Sequence, residues 1–484
     1  MRYYVQYNGD MRQRYNAKPG DRVFRPLRAR PWQVSFPIIL RMKDGGHPSP
    51  MVLIYGFAIT IAVGTILLML PISSKTGQLT SPVNALFTAT SAVCVTGLVV
   101  VDTGTYWSPF GQGVLLALFQ IGGFGFMTGA TILFLAIRRR IGLRDRLLIR
   151  ESLGMPEVGG VVRIVKRAAM FTLLVEGVGA IILYLRFLAV GTSAGIALWR
   201  ATFHAVSAFN NCGLDILGNF RSLLYYQGDS TVLLTIAVLI ILGGIGYVVV
   251  NDVLAKRSLS RLSTDSKIVL VTTISLLIFG TIFILLAEFS NSATLGVLSF
   301  PQKLLVSFFQ AVTPRTAGFT AIDISKVIGP SLFFIMFLMF VGGASGSTAG
   351  GVKVNTLGVL ISAALSSIRG REHPGAFGRE FSPRSVYRAL ALVVVYLGLV
   401  GAVVLVLSTT EKFGFVDLLF ETFSAFGTVG LSTGITPGLS ITGRLIITLA
   451  MFVGRLGPLT FVSVLAERQQ PIKYRYPRDI VRIG

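Results

Sequence analysis

Four stretches of this sequence read as variants of one another. They are FTATSAVCVTGL at Phe87–Leu98, FHAVSAFNNCGL at Phe203–Leu214, FFQAVTPRTAGF at Phe308–Phe319 and FETFSAFGTVGL at Phe420–Leu431. Each sets a phenylalanine ten residues ahead of a glycine: Phe87 with Gly97, Phe203 with Gly213, Phe308 with Gly318 and Phe420 with Gly430. In three of them a serine (Ser91, Ser207, Ser424) stands six residues before the glycine. A large apolar residue follows it in all four: Leu98, Leu214, Phe319 and Leu431. A second glycine signature lies 24 to 30 residues downstream of each: IGGFG from Ile121, LGGIG from Leu242, VGGASG from Val341 and VGRLG from Val453. One glycine in a membrane helix is ordinarily a packing residue. Two signatures recurring four times in the same order are an internal repeat.

The surroundings of the repeats set the class of protein. The chain has 484 residues, 52% hydrophobic and 13% charged, against about 25% charged in a soluble domain. With a mean hydropathy of +0.72, soluble, disordered, collagenous and coiled-coil chains are excluded, leaving a polytopic membrane protein. Apolar stretches long enough to cross ~30 Å of hydrocarbon run over 51–70, 111–137, 164–188, 231–254, 268–287, 331–351, 389–407 and 445–465. Shorter ones at 82–93, 198–209, 303–312 and 417–426 are too short to cross and fit re-entrant segments. The expected fold is all-α: eight membrane spans plus four re-entrant helices, as four span–short helix–span repeats around one pathway. The expected divisions are a basic tail (1–50), repeat 1 (51–137), a cytoplasmic loop with repeat 2 (138–255), repeat 3 (256–366), and repeat 4 with the C-terminal tail (367–484). No signal peptide is expected in 1–50, and Val34–Met42 reads as interfacial or loop.

Lys plus Arg number 44 against 21 Asp plus Glu, a net charge of +23. In a soluble protein this would suggest nucleic acid. Here the cations gather in alternate loops: Arg138–Arg140, Arg144, Arg146 and Arg150; then Lys256, Arg257, Arg261 and Lys267; then Arg369, Arg371, Arg379, Arg384 and Arg388; then Arg468, Lys473, Arg475, Arg478 and Arg482. The intervening loops carry few, such as Lys75, Arg221 and Lys412. The positive-inside rule then places the basic loops and both termini in the cytoplasm of a multi-pass cell-membrane protein. Topology alone accounts for most of the charge, with room for acidic lipid or a protein partner. The two cysteines, Cys94 and Cys212, are too few for a disulfide framework or a thiolate metal site.

Non-helical backbone at membrane depth is tolerated only where protein buries it or it lines a water-filled path. Four such loops around an axis can offer carbonyl oxygens in place of a cation's hydration shell. The candidate ligands are Val95-Thr96-Gly97, Asn211-Cys212-Gly213, Thr316-Ala317-Gly318 and Thr428-Val429-Gly430. None carries a fixed charge. Asp102, Asp215 and Asp323 follow three of these glycines and either concentrate cations at the outer mouth or are solvated loop carboxylates or caps. The third repeat also holds Gly342–Gly351, GGASGSTAGG. Each glycine weakens a helix by about 1 kcal/mol relative to alanine, so a break is expected there. Gly343, Ser345, Gly346, Ser347, Thr348, Gly350, Gly351 and the adjoining Lys353 are the candidate gate elements. Arg455, deep in the last span, costs at least ~2.5 kcal/mol if lone. We expect it to bond carbonyls of the glycine-rich run, with a carboxylate partner such as Glu176 as the structural alternative.

The four span–short helix–span units with one such glycine each resemble the Trk/Ktr/HKT superfamily of potassium transporters, over nearly all of residues 51–484. One span before the first glycine, and the ending from Tyr474-Arg475-Tyr476-Pro477 to Ile483-Gly484, are similar to the Ktr-type membrane subunit. The extended basic N-terminus departs from its shortest members. The resemblance implies potassium as substrate bound at the glycine loops, sodium as an activator or coupling ion, and an intramembrane loop that obstructs the pathway. It also implies a homodimer in membrane lipid, seated on a cytosolic nucleotide-binding regulatory ring that carries the nucleotide, with no nucleic acid partner.

Enzyme readings fail on chemistry. Gly343-Ala344-Ser345-Gly346 matches the GxSG of rhomboid proteases, but a serine nucleophile needs a base within reach. His47, His204 and His373 are not placed to serve. Gly346–Lys353 approaches a phosphate-binding loop, but Val352 interrupts the required Gly-Lys step. A proton- or sodium-coupled symporter for another solute is the stronger competitor. It would show inverted halves and midplane charges, where this chain has a parallel fourfold repeat.

Overall fold

The computed structural model describes residues 51–125, 161–371 and 373–457. The N-terminal tail, Arg138–Arg150, Val34–Met42 and the C-terminal stretch with Tyr474–Gly484 lie outside the described residues. The described chain is helical apart from a two-stranded ribbon, β1 (Gly375–Ala376) with β2 (Arg379–Glu380). Its helices are α1 (Met51–Met69), α2 (Pro82–Val93), α3 (Pro109–Phe124), α4 (Val161–Ala189), α5 (Ala194–Phe209), α6 (Ser230–Ile245) and α7 (Tyr247–Lys256). They continue with α8 (Thr264–Glu288), α9 (Phe300–Val312), α10 (Gly329–Phe340), α11 (Val354–Ile368), α12 (Pro383–Thr410), α13 (Phe415–Gly427) and α14 (Ile441–Leu456), besides one-turn helices.

The elements recur as outer helix, short helix, inner helix. The outer helices α1, α4, α8 and α12 pack on the short helices α2, α5, α9 and α13 of their own repeats. The inner helix of each repeat also packs on the short helix of the next: α3 on α5, α6 on α9, α10 on α13, and α14 back on α2. The repeats therefore close into a ring. Among the described residues, 163–189, 264–288 and 383–410 are single helices long and apolar enough to cross a membrane.

Local chemistry sets the helix ends. The short helices begin two to four residues upstream of the stretches read from the sequence, except α2, because start signals precede the apolar runs. Ser299 and Gln302 form a capping box at α9. Ser108 caps α3, Asp229 caps α6 and Ser440 caps α14, each accepting from a backbone N–H in the first turn. The inner helices stop sooner than expected. In repeats 1, 2 and 4 the last glycine of the second signature ends the helix at a positive φ: Gly125 (75°), Gly246 (82°) and Gly457 (89°). The expected continuous span over 231–254 is thus two helices, α6 and α7, meeting at 91°. In repeat 3 the helix ends at Phe340 and resumes at Val354, the break expected from the glycine run.

The first glycine of that signature has a packing role. A Cβ on Gly122 would strike Val93 O, one on Gly243 would strike Phe209 O, and one on Gly454 would strike Phe426 O. These carbonyls close the C-terminal turns of α2, α5 and α13. The glycines let each inner helix lie directly against a short helix's end.

The structure also corrects the register of the third repeat. Phe87, Phe203, Phe309 and Phe420 are fully buried, whereas Phe308 is only half-buried. Four residues beyond these phenylalanines stand Ser91, Ser207, Thr313 and Ser424. Thr313 Oγ1 donates to Phe319 O (2.5 Å) much as Ser207 Oγ donates to Leu214 O (2.7 Å). Phe309 is therefore the counterpart of the other three, and the missing residue lies in the loop after α9. Phe309→Ala is expected to destabilise the fold by about 3–5 kcal/mol and Phe308→Ala by less than half as much. Thermal unfolding of the full chain in detergent measures the difference, and equal effects would restore Phe308 to the register.

Candidate functional site

Each short helix ends in the same backbone manoeuvre. Two residues before the glycine the chain enters the left-handed region, at Val95 (φ 56°), Asn211 (57°), Thr316 (73°) and Thr428 (51°). The glycine follows with positive φ again: Gly97 (91°), Gly213 (73°), Gly318 (78°) and Gly430 (92°). For β-branched Val95, Thr316 and Thr428 that conformation costs on the order of 1–3 kcal/mol each. Side-chain and backbone ties offset it. The amides of Thr96, Cys212, Ala317 and Val429 donate to the carbonyls of Ser91 (2.7 Å), Ser207 (2.8 Å), Thr313 (2.9 Å) and Ser424 (2.8 Å). Gly97 N and Gly430 N donate to Ser91 Oγ (3.0 Å) and Ser424 Oγ (3.1 Å).

These loops meet. A Cβ on Gly97 would lie less than 3.0 Å from Cys212 O, on Gly213 from Ala317 O, on Gly318 from Val429 O, and on Gly430 from Thr96 O. The sequence of contacts runs once round the four repeats and closes. The structure thus brings together all twelve expected ligand residues, all but Gly97, Gly213, Gly318 and Gly430 carrying side chains that are buried. The site is four glycines abutting four backbone carbonyls, with no ionised side chain in the ring.

The segment Val341–Lys353 joins α10 to α11 beside this ring. A Cβ on Gly350 would strike the Thr428 side chain, and one on Gly342 would come 3.2 Å from Thr316 Cγ2. Ala344 N donates to Gly244 O (2.8 Å) and Thr348 Oγ1 to Phe209 O (3.2 Å), both from repeat 2. Gly342 N donates to Val352 O (2.9 Å) and Val354 N to Gly343 O (3.0 Å). Ser345 N donates to Asn355 Oδ1 (3.0 Å) and Ser347 Oγ to Ala344 O (2.7 Å). Lys353 Nζ turns back to Ala349 O (2.6 Å). Gly346 and Gly351 take positive φ (74° and 63°). Arg455 reaches this segment from α14, donating from Nη1 to Thr348 O (2.5 Å) and from Nη2 to Gly122 O. Glu176 is not its partner: it accepts from Asn210 Nδ2 (2.9 Å) and Gln120 Nε2 (3.3 Å).

Asp102 and Asp323 cap one-turn helices, and Asp215 ties its own loop. Asp102 accepts from Thr105 N (2.8 Å) and Phe220 N (2.9 Å), and Asp215 from Leu217 N (3.1 Å). Asp323 accepts from Ser325 N (3.1 Å) and lies 3.3 Å from Lys326 Nζ. Partial burial would raise its carboxyl, but the bonds from Ser325 and Lys326 outweigh that and hold it below the usual carboxylate range. Ser345 has no histidine beside it among the described residues: His204 Nδ1 faces Arg200 O (2.7 Å) and His373 lies against Glu380.

Sequence reasoning missed two features. The residue after each buried phenylalanine is a buried polar one: Thr88, His204, Gln310 and Glu421. The signal was the FT, FH, FQ and FE of the aligned stretches, hidden in the third by the Phe308 register. The second is Arg315, a buried cation directly before Thr316, donating to Thr273 Oγ1 (3.3 Å) and Gly342 O (3.5 Å). It stands in the quoted TPRTAG and links the third glycine loop to the 341–353 segment.

The profile of the TrkH family, described as a cation transport protein, matches residues 49–472. The chain is 43% identical to the Ktr system potassium uptake protein B of Bacillus subtilis, over 90% of this chain and 96% of that protein. It is 40% identical to the potassium/sodium uptake protein NtpJ of Enterococcus hirae, over 92% of this chain and 100% of that protein. The crystal structure of the potassium transporter TrkH from Vibrio parahaemolyticus matches with a TM-score of 0.68 at 17% identity, covering 90% of this chain and 87% of that one. That likeness is one of fold.

Gly318→Ala must push the Val429 carbonyl out of the ring. Potassium flux into proteoliposomes is expected to fall by roughly tenfold or more, the effect of about 1.4 kcal/mol at one ligand layer. Unchanged flux would remove the ring from the ion's path.

Proposed function

Because the chain belongs to the TrkH family of cation transport proteins, whose members are ion transporters rather than enzymes, we propose that it takes up potassium across a cell membrane through the glycine ring. The observation that carries this reading is the cyclic abutment of four glycine loops, one from each repeat, on four backbone carbonyls. Carbonyl dipoles replace hydration water for a weakly hydrated monovalent cation without the desolvation cost of a buried fixed charge. In this reading α2, α5, α9 and α13 are re-entrant helices in an eight-span protein whose basic loops and termini face the cytoplasm. Their C-terminal dipole ends favour a cation at the ring. The domain limits are those read from the repeats. One glycine per repeat offers few ligand layers, so discrimination against sodium is modest. The uptake proteins named for potassium and for potassium/sodium are compatible with that. Sodium acts as activator or coupling ion. Inward movement draws on the membrane potential, worth ~2.3 kcal/mol per charge per 100 mV.

Val341–Lys353 is the gate. Its Thr348 carbonyl accepts from Arg455, and the guanidinium charge repels cations while the segment stays in place. Asp102, Asp215 and Asp323 shape the outer mouth and give it negative potential. The Ktr system named for the Bacillus relative fits a membrane subunit that works with a partner. Here that partner is a cytosolic nucleotide-binding ring under a homodimer.

The test is ion flux in proteoliposomes of the purified chain under a clamped potential. Potassium flux above sodium flux is expected, and Arg455→Gln is expected to raise the basal leak severalfold. Proton-coupled flux of a neutral solute would overturn the reading, and an unchanged leak in the arginine variant would overturn the gate.

A further inference from the structure

A cleft of about 400 Å³ lies between the C-terminal end of α11 and the β1–β2 ribbon. Arg369, Arg371 and Arg379 line it, together with Ser362 and Ser366. Among the described residues none of these three guanidinium groups has a hydrogen-bond or ion-pair partner. The described carboxylate at the cleft, Glu380, lies 3.3 Å from His373 Nδ1. The ribbon that carries Arg379 is held in place. Gly375 N donates to Ser366 Oγ (3.4 Å), Phe381 N donates to Pro374 O (2.8 Å), and Lys267 Nζ sits 5.9 Å from the Phe377 ring centre.

Apolar side chains border the charge. Ile368 is 81% exposed, Phe377 50% and Leu365 46%. An uncovered Ile beside three guanidinium groups without a partner among the described residues is poorly placed in water. It suits a boundary where acyl chains meet anionic headgroups. In the membrane reading above the cleft stands at such a boundary, at the end of apolar α11 and on the connection that leads into the membrane-length helix α12. Guanidinium forks match the oxygens of a phosphate bidentately, and basic pockets at the cytoplasmic ends of spans take lipid headgroups.

We propose that this cleft binds the phosphodiester headgroup of an anionic membrane phospholipid, with Arg369, Arg371 and Arg379 on the phosphate and Leu365, Ile368 and Phe377 along the acyl chains. The inference rests on the membrane reading above. Such a lipid would pin the α11–α12 connection to the cytoplasmic leaflet, on the chain segment that leads directly out of Val341–Lys353.

Native mass spectrometry of the full chain in detergent tests it, with phosphatidylglycerol, phosphatidylcholine or inorganic phosphate added. Phosphatidylglycerol adducts are expected on the parent chain. They should fall at least about tenfold when Arg369→Gln, Arg371→Gln and Arg379→Gln are combined, since each arginine near an anionic surface contributes much of a decade in affinity. A triple lysine variant should retain part of the binding, because it keeps the charge and loses the fork. Equal adducts on the parent and the glutamine variant would overturn the proposal, as would equal retention of phosphatidylcholine. Inorganic phosphate binding as tightly as the lipid would make the site one for a free anion and overturn the lipid assignment. Lipid adducts unchanged in the glutamine variant, with loss of response to a cytosolic protein, would make the cleft a protein-docking surface. Potassium flux through the parent chain, read in parallel, tells failure of this inference from failure of the transport reading.

Discussion

The architecture depends on how closely four backbone strands approach one another at the glycines. At Gly97, Gly213, Gly318 and Gly430 there is no space for a methyl group, because the carbonyl of the neighbouring repeat occupies it. This contact makes each repeat depend on the next. A side chain at any of the four glycines would push the neighbouring repeat's carbonyl away and open the ring. The outer packing follows the same order, with each inner helix lying on the following short helix and α14 returning to α2.

The conformation that allows this approach is not a relaxed one. Valine and threonine residues sit in a backbone region they avoid, and the chain holds them there through bonds from the same short helix. Ser91, Ser207, Thr313 and Ser424 supply both a carbonyl and a hydroxyl to the loop that follows. The 341–353 segment is held in the same way but by different repeats: Gly243, Gly244 and Phe209 from the second, Arg455 from the fourth, and Arg315 from the third glycine loop. Its polar groups are shared among parts of the molecule far apart in sequence. Displacing it would leave carbonyls and two guanidinium groups to find other partners.

Much of this was legible in the residues. The fourfold recurrence, the short helices, the break after Phe340 and the contact between Arg455 and the glycine-rich run all follow from spacing and composition. What was hidden depends on three-dimensional neighbours. The 91° bend at Gly246 lies in an unbroken apolar stretch, where hydropathy reports burial and says nothing of backbone direction. Which of the readings offered for Asp102, Asp215 and Asp323 applies depends on which amide each side chain meets. Matching from the glycine put Phe308 in register, because a loop shortened by one residue is indistinguishable in sequence from a helix shifted by one. Only burial and the Thr313 bond separate the two. The partners of Glu176 were equally out of reach, being a glutamine and an asparagine from other helices.

Thr88, His204, Gln310 and Glu421 occupy one position in four copies of the same element. An assembly of four identical subunits would be obliged to place one residue type there four times, and each of four buried glutamates would need its own partner, as Glu421 has in the Thr436 hydroxyl. Joining the copies in one polypeptide removes that obligation. Each quarter of the ring has been free to diverge, so a carboxyl, an imidazole, an amide and a hydroxyl stand at positions that symmetry would have made alike. The backbone repeats the same turn after each short helix while the side chains at this position differ, and substitutions there are a way to alter one repeat while leaving the other three untouched.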